Sequence, residues 1–310
     1  MREAWPAESI GSLLGTRQWS GSVASVHVRA LNILRPDGLV VSLLGSSDAM
    51  TDLGIVVPGL FAGPLQGLQG RSVSALGRRI VIEGLGSIAL RGAATWSGRV
   101  RLGAGRGGTS SALAAALAGT LARHGHPGGV LALAVPSRES TWSTAARRCL
   151  EADPSNPAAL VGLGPGMTPS GDDFLAGVLF ALQLGWARPP RGQSPARLRR
   201  AVAAALPSTT PAGRTLLVLA LRGRFAAPLL ELATSAGSDE VDKAARVLCA
   251  LGETSGTDTL VGCWWACMRW RHLSRSPRWL TASRRRDMNR GSPRRRPCPG
   301  KNGCSTACSA

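Results

Sequence analysis

The sequence predicts an α+β protein: an N-terminal, mainly antiparallel β domain, then a mostly α-helical domain, then an irregular basic C-terminal tail. Three observations carry this. Residues 22–101 hold short β-branched runs broken by Gly, Pro and Asp; the chain beyond 110 is Ala/Leu-rich at helical spacing; and from Cys263 the composition turns to Arg, Cys and Trp. With 310 residues at 44% apolar composition, the chain can bury a full core.

In order, residues 1–21 form an N-terminal arm without the basic start and apolar run of a secretion signal. Over 22–102, "SVASVHV", "LVVSLLG", "LGIVV" and "RRIVIEGLGSIALRG" read as strands, the last as a hairpin turning at Gly84-Leu85-Gly86. "GAGRGGTSS" at 103–111 reads as a flexible joint. The helical domain, 103–262, is expected to carry helices over 110–123, 140–151, 172–185, 195–205, 214–234 and 239–251. The longest mostly apolar stretch, 174–186, is too short to span a bilayer, so a cytoplasmic protein is expected.

The net charge of +19 suggests nucleic acid until it is mapped. Residues 263–310 hold eleven Arg, one Lys and one Asp, so +11 of the +19 sits in the tail. That tail, 263–310, reads as a disordered arm or as translation in a shifted frame of a GC-rich gene, and nucleic acid is the weaker reading. No G-x-x-x-x-G-K-[ST], G-x-S-x-G, H-E-x-x-H or C-x-x-C occurs. The tail cysteines with His272 make only a weak zinc pattern, and Asp172-Asp173 lacks further local ligands, so neither metal nor cofactor is expected.

One internal echo carries chemistry. Ser170-Gly171-Asp172-Asp173-Phe174-Leu175-Ala176-Gly177 returns 85 residues later as Ser255-Gly256-Thr257-Asp258-Thr259-Leu260-Val261-Gly262, an S-G-x-D-x-L-x-G pattern. Each copy follows a Leu-Gly pair, with PGMTP inserted before the first Ser and Glu253-Thr254 before the second. Ser followed three residues on by Asp is a capping-box-like start, so both helices are expected to begin at these serines and to be capped by them. Gly177 and Gly262, seven residues further, are expected to let the two helices cross closely. Two convergent helix N-termini can hold a phosphate or carboxylate, and the Gly-Pro-Gly loop exceeds what a cap needs; simple capping is the plainer alternative.

Together "GLGPGMTPSGDDFLAG" at 162–177, "LGETSGTDTLVG" at 251–262 and "VHVRALNIL" at 26–34 resemble the bacterial AllH-like family, formerly a domain of unknown function, over roughly residues 22–262. The resemblance implies the AllH subunit of an oxamate carbamoyltransferase in purine (allantoin) breakdown, working in an assembly with other subunits on carbamoyl phosphate, oxamate or oxalurate. Carbamoyl transfer needs donors aimed at a phosphate and a developing oxyanion. Candidate substrate-binding residues are Gly164, Gly166, Thr168, Ser170, Gly171, Ser255, Gly256 and Asn32, with Arg29 and Arg214 as further anion partners. Asp172, Asp173 and Asp258 are the candidate catalytic acids, able to orient or deprotonate an attacking nitrogen. The competing class is a non-catalytic protein whose basic tail binds nucleic acid or an acidic partner.

Overall fold

The computed structural model describes residues 4–15, 18–63, 65–103, 110–153, 156–187, 194–235 and 237–272. The tail from residue 273 and most of the expected joint, 104–109, lie outside the described residues.

The N-terminal part is a curled, mainly antiparallel sheet. Its strands are β1 (Trp5–Pro6), β2 (Ser9–Gly11), β3 (Trp19–Val26), β4 (Ala30–Leu34), β5 (Val40–Leu44), β6 (Gly54–Val56), β7 (Ser72–Leu76), β8 (Arg79–Ile82), β9 (Gly86–Ala89) and β10 (Ala94–Trp96). They lie in the order β1-β9-β8-β7-β3-β4-β5-β6-β2-β10, and the pairs β1/β9, β5/β6 and β2/β10 are parallel. The arm before residue 22 therefore supplies sheet strands, with β1 at one edge and β2 between β6 and β10. The hairpin forms as expected, with Ile80 opposite Ile88 and Ile82 opposite Gly86.

Along β7 and β8 exposed and buried residues alternate, the mark of a sheet wet on one face. β5 and β6 are buried nearly throughout because helices cover their second face. There Thr215 accepts the Val40 N–H at 2.8 Å and Leu219 joins the sheet core.

The helices are α1 (Ser110–His124), α2 (Thr141–Ala152), α3 (Ser170–Leu184), α4 (Pro195–Ala205), α5 (Pro211–Leu221), α6 (Ala227–Thr234), α7 (Ser238–Cys249) and α8 (Ser255–His272). The helix expected over 214–234 is two. The break follows Leu221: Gly223 turns at φ 68°, open to glycine at little cost, and the Phe225 N–H then bonds the Gly98 carbonyl at 2.9 Å. The start also lies earlier than expected, because Thr210 caps the Gly213 N–H at 3.0 Å and Pro211 occupies the first turn.

α3 is the centre of the helical core, with every residue except Gln183 buried. α8 packs along it and does not stop at Gly262. Cys263, Trp265, Ala266 and Cys267, assigned from sequence to the tail, are buried, and the Trp265 ring meets Phe174 edge-on at 5.6 Å. Among the described residues no helix is long and apolar enough to cross a membrane.

Candidate functional site

The two S-G-x-D segments meet at the crossing of α3 and α8. A Cβ on Gly177 would lie 1.9 Å from the Thr259 carbonyl oxygen, and one on Gly262 would lie 2.0 Å from that of Phe174. These contacts are reciprocal at the 85-residue offset, so the helices are related by a local pseudo-twofold. The crossing brings both helix starts to one place, where the Thr168 and Ser255 hydroxyls are 2.9 Å apart.

The serines are not caps. Both are the first helical residues, and α3 is preceded by Pro169 with no side-chain cap. Their hydroxyls instead serve the opposite helix: Ser170 lies beside Asp258 and, with Thr254, lowers its pKa, while Ser255 and Thr168 do the same for Asp173. A capping box is local, whereas this exchange needs the crossing, which is why spacing alone pointed to the wrong partner.

The acids divide by what holds them. Asp172 turns away from the cluster, accepting the Gly162 N–H at 2.8 Å and the Thr209 hydroxyl, and it lies over Gly213, where a Cβ would strike its carboxylate. Asp258 accepts the Val130 N–H at 2.7 Å and rests on Gly129. Thr257, at the position equivalent to Asp172, accepts the His126 N–H at 3.1 Å. Asp173 receives no backbone donor among the described residues. Its Oδ2 and that of Asp258 are buried without a hydrogen-bond partner.

Burial raises all three pKa values. Asp258 is pushed up to about 6 by desolvation, against the Val130 and Ser170 donors. Desolvation also raises Asp172, against Thr209 and Gly162. For Asp173 desolvation and then the neighbouring charge of Asp258 lift it well above the ordinary carboxylate range.

This changes the expected anion site. Two ionised carboxylates at the helix starts would repel phosphate, so an anion fits only where the acids are neutral and act as donors; otherwise the complement is a group with N–H bonds. The amides of Gly171 and Gly256 are not available, since they bond the Leu163 and Leu251 carbonyls at 2.7 and 3.0 Å. These two glycines serve packing, as a Cβ on either would fall within 2 Å of a backbone oxygen, that of Leu160 (1.9 Å) or Leu248 (1.7 Å). The loop amides of Gly164, Gly166, Met167 and Thr168 donate to no protein group among the described residues. Gly164 and Gly166 hold φ of 113° and 91°.

Asn32 reaches this loop from β4. It accepts the Ser42 hydroxyl at 2.7 Å, donates to Ser25 at 3.1 Å and touches the Met167 sulfur at 3.8 Å. Sequence reasoning missed the other groups that hold Met167: the sheet residues Ser25 and His27, within 3.3 and 3.2 Å of its sulfur, and Thr210, which donates to its carbonyl. The Thr-Thr-Pro at 209–211 was a readable helix start that could have drawn attention to Thr209 and Thr210. Arg29 and Arg214 do not join the cluster; the first pairs with Asp48 at an exposed edge, and the second bonds the Leu206 carbonyl. Two surface clefts, of about 450 Å³ between α1 and α7 and about 570 Å³ beside His27 and Phe61, are not lined by residues of the two S-G-x-D segments, although Val26, His27 and Val28 of the 26–34 segment line the second.

The crossing is also where a known family fits. The family described as oxamate carbamoyltransferase subunit AllH matches residues 160–267, a span that holds both S-G-x-D segments and the helix continuing past Gly262. Over these residues the chain is similar to that family. The matched span begins in the short turn before the Gly-rich loop and ends at Cys267, enclosing α3 and most of α8. No solved structure matches the chain.

Proposed function

We propose that this AllH-like chain is a subunit of an oxamate carbamoyltransferase-type enzyme, and that the crossed helix starts bind its small substrate, with partner subunits completing the assembly. The observation that supports this most is that the family match covers the residues forming the buried Asp173–Asp258 cluster and its hydroxyls. Carbamoyl phosphate, oxamate and oxalurate all carry N–H donors together with acidic oxygens, so one end of each can meet carboxyl groups and the other the free loop amides. From residue 273 the basic tail of the competing nucleic-acid reading lies outside the described residues, and its first part, 263–272, continues α8.

Isothermal titration of carbamoyl phosphate and of oxamate into the purified chain, with the Thr168→Ala/Ser255→Ala variant as control, tests the proposal. Saturable binding of at least one compound, weakened in the variant, is expected. Absence of saturable binding for both would overturn it.

A further inference from the structure

We infer that Asp173 is the ligand-contacting group of the cluster and that it takes a primary carboxamide or carbamoyl group, whereas Asp172 and Asp258 are positioning residues that latch loops. The inference rests on the preceding proposal only in naming the carbamoyl group among amides.

The two repeats put four side chains at equivalent places, 172 and 173 in one helix, 257 and 258 in the other. Three of them hold neighbouring backbone: Asp172 takes the Gly162 N–H, Thr257 the His126 N–H, Asp258 the Val130 N–H. Among the described residues Asp173 alone of the four holds none, yet it is only 3% exposed and its Oδ2 is buried without a partner. A buried carboxyl that receives hydroxyls on one side but holds no backbone among the described residues and leaves an oxygen unpartnered costs stability, and such a cost is retained where a group has another task.

The surroundings specify the partner. Burial first, and then Asp258 and Asp172, the charged groups that act on Asp173 and both acids, favour its neutral form. A neutral carboxyl has one O–H donor and one free acceptor oxygen in a plane. The matching ligand presents a carbonyl acceptor and an N–H donor side by side, which is the edge of a primary amide or carbamoyl group. A carboxylate matches less well, because it offers no donor to the second oxygen. The half-exposed Thr168 and Ser255 hydroxyls both act on the Asp173 carboxyl, so a ligand that reaches it would replace their 2.9 Å bond and take up both hydroxyls.

Titration of acetamide, oxamate and acetate into the wild-type chain and into Asp173→Leu and Asp173→Asn, with thermal unfolding of each, tests the assignment. Expected are binding of both amides in preference to acetate, a loss of roughly tenfold or more in Asp173→Leu, and retention in Asp173→Asn, whose amide offers the same donor–acceptor edge. The carboxyl-carbon resonance of Asp173 in the wild-type chain should shift on adding acetamide, a readout that stands even if the Leu variant does not fold. Amide affinity unchanged in a folded Asp173→Leu, acetate bound as tightly as acetamide, no amide binding at millimolar concentration, or an unmoved resonance at saturation would each overturn it. Acetamide binding without any binding of oxamate or carbamoyl phosphate would leave Asp173 assigned and remove the carbamoyltransferase reading instead.

Discussion

Gly177 of α3 and Thr259 of α8 touch backbone to backbone, with a Cβ on the glycine only 1.9 Å from the threonine carbonyl oxygen, and the relation is returned by Gly262 against Phe174 at 2.0 Å. Neither obstacle is a side chain that can turn away. Gly177→Ala must therefore separate the helices and with them the Thr168–Ser255 and Ser170–Asp258 neighbours. Chemical denaturation should report a loss of about 3 kcal/mol, at the upper end of overpacking costs. A variant within about 0.5 kcal/mol of wild type would show that the crossing yields cheaply.

The sheet and the helical part are tied by a buried ion pair. Asp52, whose side chain is fully buried, pairs with Arg224 from the α5–α6 connection and also accepts the Ser12 hydroxyl at 2.6 Å and the Gly98 N–H at 3.0 Å. Asp52→Ala leaves the Arg224 charge and the Gly98 N–H without their acceptor, and should cost about 3–5 kcal/mol by denaturation. Asp52→Asn, which keeps one acceptor oxygen, for the Gly98 N–H or for the Ser12 side, should cost less. Equal losses would mean that charge contributes nothing beyond the hydrogen bonds.

Trp265 makes the continuation of α8 testable. Its indole is 3% exposed and packs edge-on against Phe174, next to the site acid Asp173. Trp265→Ala should cost about 3–5 kcal/mol and quench the near-ultraviolet signature of the Trp–Phe pair. A chain ending at Gly262 should be destabilised at least as much, whereas one ending after His272 should keep the helical core. Wild-type stability in the chain cut at Gly262 would place these residues outside the fold.

The order of strands then helices was legible because period-2 runs and Ala/Leu helical spacing are local properties. So was the meeting of the two serine motifs, since Gly177 and Gly262 mark a crossing on the sequence itself. The hydroxyl partners were not legible: Ser170 serves Asp258 and Ser255 serves Asp173 only because the helices cross, and local spacing favoured a cap within each helix. The split of 214–234 was hidden for a similar reason, as Gly223 breaks the helix in order to pair Phe225 with Gly98 from the sheet side. The helix beyond Gly262 was missed because Trp and Arg looked foreign to an Ala/Leu core, although every residue from Val261 to Cys267 except the half-buried Trp264 is buried.

The last prediction concerns pH. Asp258 is raised from 3.8 to about 6, and Asp172 and Asp173 are raised as well, so the folded protein binds protons that the unfolded chain releases. For an acid shifted upward, the slope of unfolding free energy with pH is negative between the unfolded and folded pKa values. The stability associated with these acids is therefore complete below about pH 4 and declines as pH rises through 6 and beyond. The surface carboxylates Glu83, Glu139 and Asp242 are shifted the other way by their Ser, Arg and Thr partners, so their contribution is lost only as pH falls below the usual carboxylate range. Melting temperature should thus be higher near pH 5 than near pH 8. Asp258→Asn, which keeps an acceptor for the Val130 N–H, should remove part of that decline and gain about 2–3 kcal/mol relative to wild type at the alkaline end, roughly two pKa units at 1.4 kcal/mol each. Parallel pH–stability curves for wild type and Asp258→Asn would show that Asp258 is already ionised in the native state and that the cluster tolerates the charge.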